Sequence, residues 1–90
     1  MCYEIRCYSV FDDKAVCYAR PFFATNNAVA CRSFASAVIS KTPDNALSAN
    51  PGDYKLFRLG EFDDSCGSIT SGTPLFLISG DEVITHDKTE

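Results

Sequence analysis

Three pairs of adjacent acids, Asp12 with Asp13, Asp63 with Asp64 and Asp81 with Glu82, are the first places to look for a metal site or a general acid and base. Each falls in a stretch that reads as a turn. There an Asp carboxylate bonds its own backbone, and neighbouring side chains need not converge on one ligand, so turn chemistry is the expectation for all three. The single histidine, His86, stands in a polar tail. Neither a Ser-His-Asp nor a Cys-His arrangement can be built around it, and zinc lacks its usual paired ligands. Gly-rich phosphate cradles are absent from the sequence as well. Five cysteines, Cys2, Cys7, Cys17, Cys31 and Cys66, are an odd number with no Cys-x-x-Cys spacing, and no secretory leader pattern accompanies them. They are expected to be reduced, half-buried thiols acting as compact hydrophobes. No enzyme, cofactor or metal is expected.

What remains is a set of tyrosines and arginines: Arg6, Tyr8, Tyr18, Arg20, Tyr54 and Arg58. Strand alternation places them on one face of a sheet, opposite the face that a helix would cover. Aromatics interleaved with arginines suit a single-stranded nucleic-acid platform, because bases stack on rings and guanidinium groups hold the backbone. The same residues, together with Val10, Val16, Phe22 and Leu56, equally suit a face that buries itself against a second subunit, since tyrosine and arginine are enriched at protein interfaces. Both readings use this face.

The elements that would position these side chains follow from periodicity. Residues Cys2 to Phe11 alternate as a half-buried strand, and Asp12, Asp13 and Lys14 turn the chain back. Ala15 to Ala24 then pairs antiparallel with the first strand, with Pro21 near a strand end or on an edge because it cannot donate a ladder hydrogen bond. Thr25 or Asn26 caps a helix from Ala28 to Ile39 whose buried stripe is Ala30, Phe34, Ala37 and Val38, with Cys31 beside it. Thr42 to Asp44 ends that helix, and the stretch to Gly52 reads as a surface loop. A second clear strand runs from Asp53 to Phe62, followed by a hairpin turn at residues 63–67 in which Gly67 supplies a positive φ. Ser68 to Thr70 begins a return strand, Leu75 to Ile78 is a further short run, and a turn at Gly80 and Asp81 precedes a short strand at Val83 and Ile84. Residues 85–90 are expected to fray.

The order strand, strand, helix, strand, strand makes an α+β domain, an antiparallel sheet of four to five strands with one helix packed on one face. Residues 1–90 form a single domain in this reading. The helix-covered face is expected to take Ile5, Cys7, Cys17, Ala19, Phe23, Phe57 and Leu59 against Ala30, Phe34 and Val38.

Composition agrees with a folded module. Hydrophobic residues make up 46% of the chain and aromatics 12%, enough apolar surface to offset chain entropy. At 90 residues the core is thin, because such a chain buries only a little over about 60% of its unfolded surface, so association with a second copy is open to it. The net charge of −4 argues against a strong electrostatic grip on nucleic acid or an anionic membrane. From Val16 to Gly60 the balance is +3, and the flanks together carry −7. No run approaches the roughly 20 apolar residues of a membrane span. The expectation is a soluble, cytosolic protein.

Three segments together resemble a known family. They are Ser9 to Asp12 followed by Arg20-Pro21-Phe22-Phe23-Ala24; Asn27-Ala28-Val29-Ala30 with Arg32 and Phe34; and Asp53 to Asp64 (DYKLFRLGEFDD) with Gly67 and Ile69. Over about residues 5 to 70 this is similar to the small nonstructural protein of gokushovirus-type microviruses, tailless icosahedral phages with circular single-stranded DNA genomes. From Thr73 onward the likeness is loose. The resemblance implies a protein outside the virion, acting in the host bacterial cytoplasm. It also implies a role like that of the C protein of phiX-type phages, when replication turns to single-stranded genomes for packaging. A homodimer touching single-stranded DNA, or a factor binding a phage or host replication protein without touching DNA, are the two functions expected. No catalytic residues carry over. The family's recurring positions here, Arg20, Pro21, Phe22, Arg32, Phe34, Tyr54 and Gly60, each have a structural reason at a strand end, core, sheet face or turn.

Overall fold

The computed structural model describes residues 4–40 and 46–88. Strand β1 (Glu4–Asp12) lies inside the sheet. On one side it pairs antiparallel with β2 (Cys17–Tyr18) and β3 (Phe22–Ala24), and on the other with β4 (Tyr54–Asp63). The far edge is β5 (Ser68–Ser79), antiparallel to β4. Helix α1 (Asn27–Ile39) links β3 to the second half of the chain. A single turn α2 (Ala46–Ala49) and a 3-10 turn (Pro51–Asp53) precede β4, and α3 (Gly80–Lys88) closes the chain. This is the α+β architecture expected, an antiparallel sheet with one main helix on one face.

Local chemistry explains most boundaries. Asn26 is extended (φ −158°, ψ 173°) and its Oδ1 accepts the Val29 amide at 2.9 Å, which satisfies a first-turn donor that helix geometry leaves unpaired. Ala30, Phe34 and Val38 form the buried stripe of α1, while Ala37, expected in it, is exposed. After β1, Asp12 Oδ1 accepts the amides of Lys14 and Ala15, the turn role anticipated for that acid. Gly67 has φ +75°, and the backbone of Asp63 accepts its amide at 2.8 Å, closing the β4–β5 hairpin. The expected second strand is two pieces, because Pro21 and its neighbours interrupt pairing between Tyr18 and Phe22.

Several expectations are corrected. The return after the hairpin is one strand of 12 residues rather than two short runs, since at a sheet edge Pro74 forfeits no ladder partner. The stretch before Gly52 contains the helical turn α2 at residues 46–49. Val83 and Ile84 belong to a helix, α3, not to a strand. Its start is a capping box: Ser79 Oγ accepts the Glu82 amide at 3.2 Å, and Glu82 Oε1 accepts the Ser79 amide at 3.3 Å. Asp81 and Glu82 also sit where the helix dipole favours negative charge. The tail expected to fray is helical through Lys88; residues 89 and 90, like Cys2 and Tyr3 of the expected first strand and Thr42 to Asp44, lie outside the described residues.

The largest correction concerns which side of the sheet the helices cover. The core consists of Tyr8, Ala30, Phe34, Val38, Leu56 and Val83, with Val10, Phe22, Ala24, Tyr54 and Ile78 packed against it. Tyr8 and Leu56 are fully buried. So even-numbered residues of β1 face the helices, and the set expected there (Ile5, Cys7, Phe23, Phe57) lies on the opposite side. Both alternate sets carry apolar residues along these strands, so alternation by itself does not say which of them the helices cover.

Candidate functional site

Register fixes the composition of the helix-free face, because residues directly opposite across strands share a side. From β1 outward the matched sets are Ile5, Phe62 and Ile69; Cys7, Phe23, Gly60 and Ser71; Ser9, Phe57 and Phe76; and Phe11, Tyr18 and Lys55. Four aromatic side chains from four strands touch in a chain. Tyr18 meets Phe11 at a centroid distance of 4.9 Å and Phe57 at 5.8 Å, and Phe57 meets Phe11 at 6.3 Å and Phe76 at 5.7 Å, all edge to face. Phe23 and Phe62 form a second contact at 5.9 Å. Edge-to-face geometry sets the positive rim of one ring against the negative face of the next, which holds the array in shape.

The rings at the edges of this array are open to solvent: Phe23 is 51% exposed, Phe76 46% and Tyr18 41%. Between the two ring groups run small residues, Cys7, Gly60 and Ser71. A Cβ on Gly60 would stand 2.1 Å from the Thr70 carbonyl oxygen, so the close approach of β4 to β5 there requires glycine. Leu59 has no opposite residue in β1 and forms a bulge beside this point. Ser9 is buried beneath the rings, and its hydroxyl donates to the Ala19 carbonyl at 2.7 Å. Burial also pushes the Cys7 thiol above its ordinary pKa, so it is a poor nucleophile. Among the described residues, Lys55 is the one charged side chain that register places on this face, and it is paired with Asp13.

The six residues expected to form one binding surface are divided by the structure. Tyr8, Tyr54 and Arg58 lie on the helix side, together with Arg6; Tyr18 alone is on the free face; Arg20 is exposed in the link between β2 and β3. Tyr8 is a core residue whose hydroxyl donates to Asn27 Oδ1 at 2.7 Å, and burial raises its pKa while Arg6 and Arg58 pull it the other way. Burial likewise raises the Tyr54 pKa, with Asp12 and Asp53 adding to the effect. Arg58 pairs with Glu61 at 2.6 Å, and Arg6 donates to the Thr25 carbonyl at 2.8 Å. The surface expected to join these tyrosines and arginines is therefore not formed: of the six, the free face carries only Tyr18. Phe11, Phe23, Phe57, Phe62 and Phe76 were missed, although their odd-even spacing with Tyr18 was legible once the face was fixed.

Two hollows lie among the described residues. One of about 290 Å³ follows the bulge and is lined by Arg58, Leu59, Gly60, Glu61 and residues of β5; its two charged groups neutralise each other. Another of about 230 Å³, between sheet and α1, is lined by Val10, Phe22, Ser33, Phe34, Ala37 and Leu47. Neither sets a nucleophile beside a base. Among the described residues no three of His, Cys, Asp and Glu converge as metal ligands, and no helix is long and apolar enough to cross a membrane. Asp63, one of the paired acids, spends its carboxylate on the Ser65 hydroxyl and amide, which lowers its pKa.

Comparison with known proteins gives one family. A family model described as Phage ORF5 protein matches residues 5–83, which is most of the chain and includes every strand of the sheet apart from the first residue of β1. No curated protein and no solved structure matches.

Proposed function

This chain belongs to the phage ORF5 protein family, and from that premise we propose that it is a non-catalytic interaction factor whose helix-free aromatic face takes another protein. The observation that carries the reading is the separation of rings from cations. Six aromatic residues share the free face, whereas Arg6 and Arg58 lie on the helix side and are engaged by Thr25 and Glu61. Phosphate needs unpaired cations beside the rings, and a protein surface does not. With the net charge at −4, a polyanion gains little on approach. The resemblance to gokushovirus-type nonstructural proteins supplies the setting: the host bacterial cytoplasm, at the stage when single-stranded genomes are made and packaged.

Single-stranded DNA is the second reading, favoured by the open rings of Tyr18, Phe23 and Phe76, on which bases would stack. Photo-crosslinking separates the two. A benzophenone amino acid is placed at position 18, on the free face, or at Arg32 on the exposed side of α1, and infected cells are irradiated. Protein adducts from position 18, few from position 32 and no nuclease-sensitive adducts are expected. Nuclease-sensitive adducts from position 18 would replace this reading with the DNA one, and salt-weakened binding of a labelled oligonucleotide would agree with them.

A further inference from the structure

We infer that the protein seated on the aromatic face is a second copy of this chain, packed face to face about a two-fold axis. The inference rests on the protein-binding reading above and names its partner. The first support is size. Four strands about 4.8 Å apart, and nine residues of β1 rising about 3.3 Å each, give a flat patch on the order of 570 Å² before side-chain relief is counted. Relief brings that toward the roughly 800 Å² that each partner gives to a stable interface, and it is at the top of the range that monomers leave uncovered.

The second support is charge. A basic partner would need acids on the face, yet among the described residues register places none there; Glu4, Asp12, Glu61 and Asp63 of the paired strands fall on the helix side. An acidic partner would need a free cation, yet Lys55 is held by Asp13. What fits is a largely apolar surface of the same extent with no unpaired charge, and this face, whose Lys55 is paired with Asp13, is one. A two-fold axis makes any such surface its own complement, with each contact made twice. Small residues, Cys7, Gly60 and Ser71, alternate with the exposed rings of Phe23 and Phe76, a mix of sizes that lets rings of one copy interdigitate with the other at the roughly 10 Å spacing of packed sheets. The β2–β3 edge is short and carries Arg20 and Pro21, and the β5 edge is bent by bulges and Pro74, so strand-to-strand pairing is disfavoured at both.

Sedimentation equilibrium of the full chain from low to high micromolar concentration tests this. Wild type is expected at twice the 9.8 kDa subunit mass. Tyr18→Glu and Phe23→Glu, at exposed positions that tolerate charge in a folded monomer, are expected to weaken association at least 100-fold with unchanged circular dichroism, while Val29→Glu on α1 leaves it intact. Monomeric wild type at several hundred micromolar overturns the inference. So does a dimer that survives both face substitutions, or one that dissociates only with Leu75→Lys, which would move the interface to the β5 edge. A monomer that still crosslinks another protein from position 18 removes the second copy and keeps the protein-binding reading; DNA adducts remove both.

Discussion

The two faces of this sheet are both apolar, but they spend their apolar groups differently. Under α1 and α3, Tyr8, Leu56, Phe34, Val38 and Val83 are buried, and the one hydroxyl among them is satisfied by Asn27. On the other side six rings are only partly covered, and they contact one another instead of a second layer. The covered face is complete as it stands. The free face is a contiguous set of partly exposed rings, the kind of surface that the proposed dimer would bury. The charged strand residues Arg6, Arg58 and Glu61 fall on the helix side, half-exposed, Arg6 bonded to Thr25 and Arg58 paired with Glu61.

Truncation should expose this contrast most sharply. Leu56→Ala, on the covered face, is expected to cost about 2–5 kcal/mol in urea denaturation, the range for emptying a packed leucine site. Phe57→Ala, one residue on and facing the other way, is expected to cost the dilute subunit less and to abolish association. Equal losses at concentrations where the protein is monomeric would erase the distinction between the faces.

Smaller changes sharpen it. Tyr8→Phe removes a hydrogen bond of the completed face and is expected to cost about 1 kcal/mol without changing the sedimentation profile. Glu82→Ala, which opens the capping box that holds Val83 in the same core, is expected to cost a similar amount, about 1 kcal/mol. Alkaline titration gives the least effect. Burial raises the Cys7 thiol on the free face and the Cys31 thiol on α1 above their ordinary value of 9.0, so each holds its proton more firmly folded than unfolded. Their stabilisation is fully present below pH 9 and is lost as pH rises through the folded values. Denaturation midpoints followed from pH 8 upward should fall for wild type and fall less for Cys31→Ala. Cys7→Ala should behave likewise; no difference from wild type in either variant would contradict the assigned burial.

Much of the architecture was legible in the sequence because local chemistry is specific. Asn26 could be recognised as a cap, Gly67 as a turn glycine, Pro21 as a break in an edge strand and Ala30, Phe34 and Val38 as a helix stripe. The orientation of the sheet was not legible, because residues 5, 7 and 11 and residues 8 and 10 are apolar in both parities, so alternation marks a strand without saying which side is in. The bulge at Leu59 adds to this, shifting parity within β4. Helix α3 was misread because Val83 and Ile84 are β-branched or aliphatic neighbours that suit a strand, while its Ser79-x-x-Glu82 signal stood in plain view. Thus of the candidate face only Tyr18 was picked out from the sequence, and the division of the other residues between two faces required the structure.

The most direct test of the account is phage yield. A phage lacking its own copy of this gene is supplied with variants from a plasmid, and soluble, folded protein is checked in each case. Tyr18→Glu with Phe23→Glu, on the free face, is expected to fail to restore yield, and Arg20→Ala with Arg58→Ala is expected to restore it. Restoration by the first pair and failure of the second would contradict it, and would return the function to the cations.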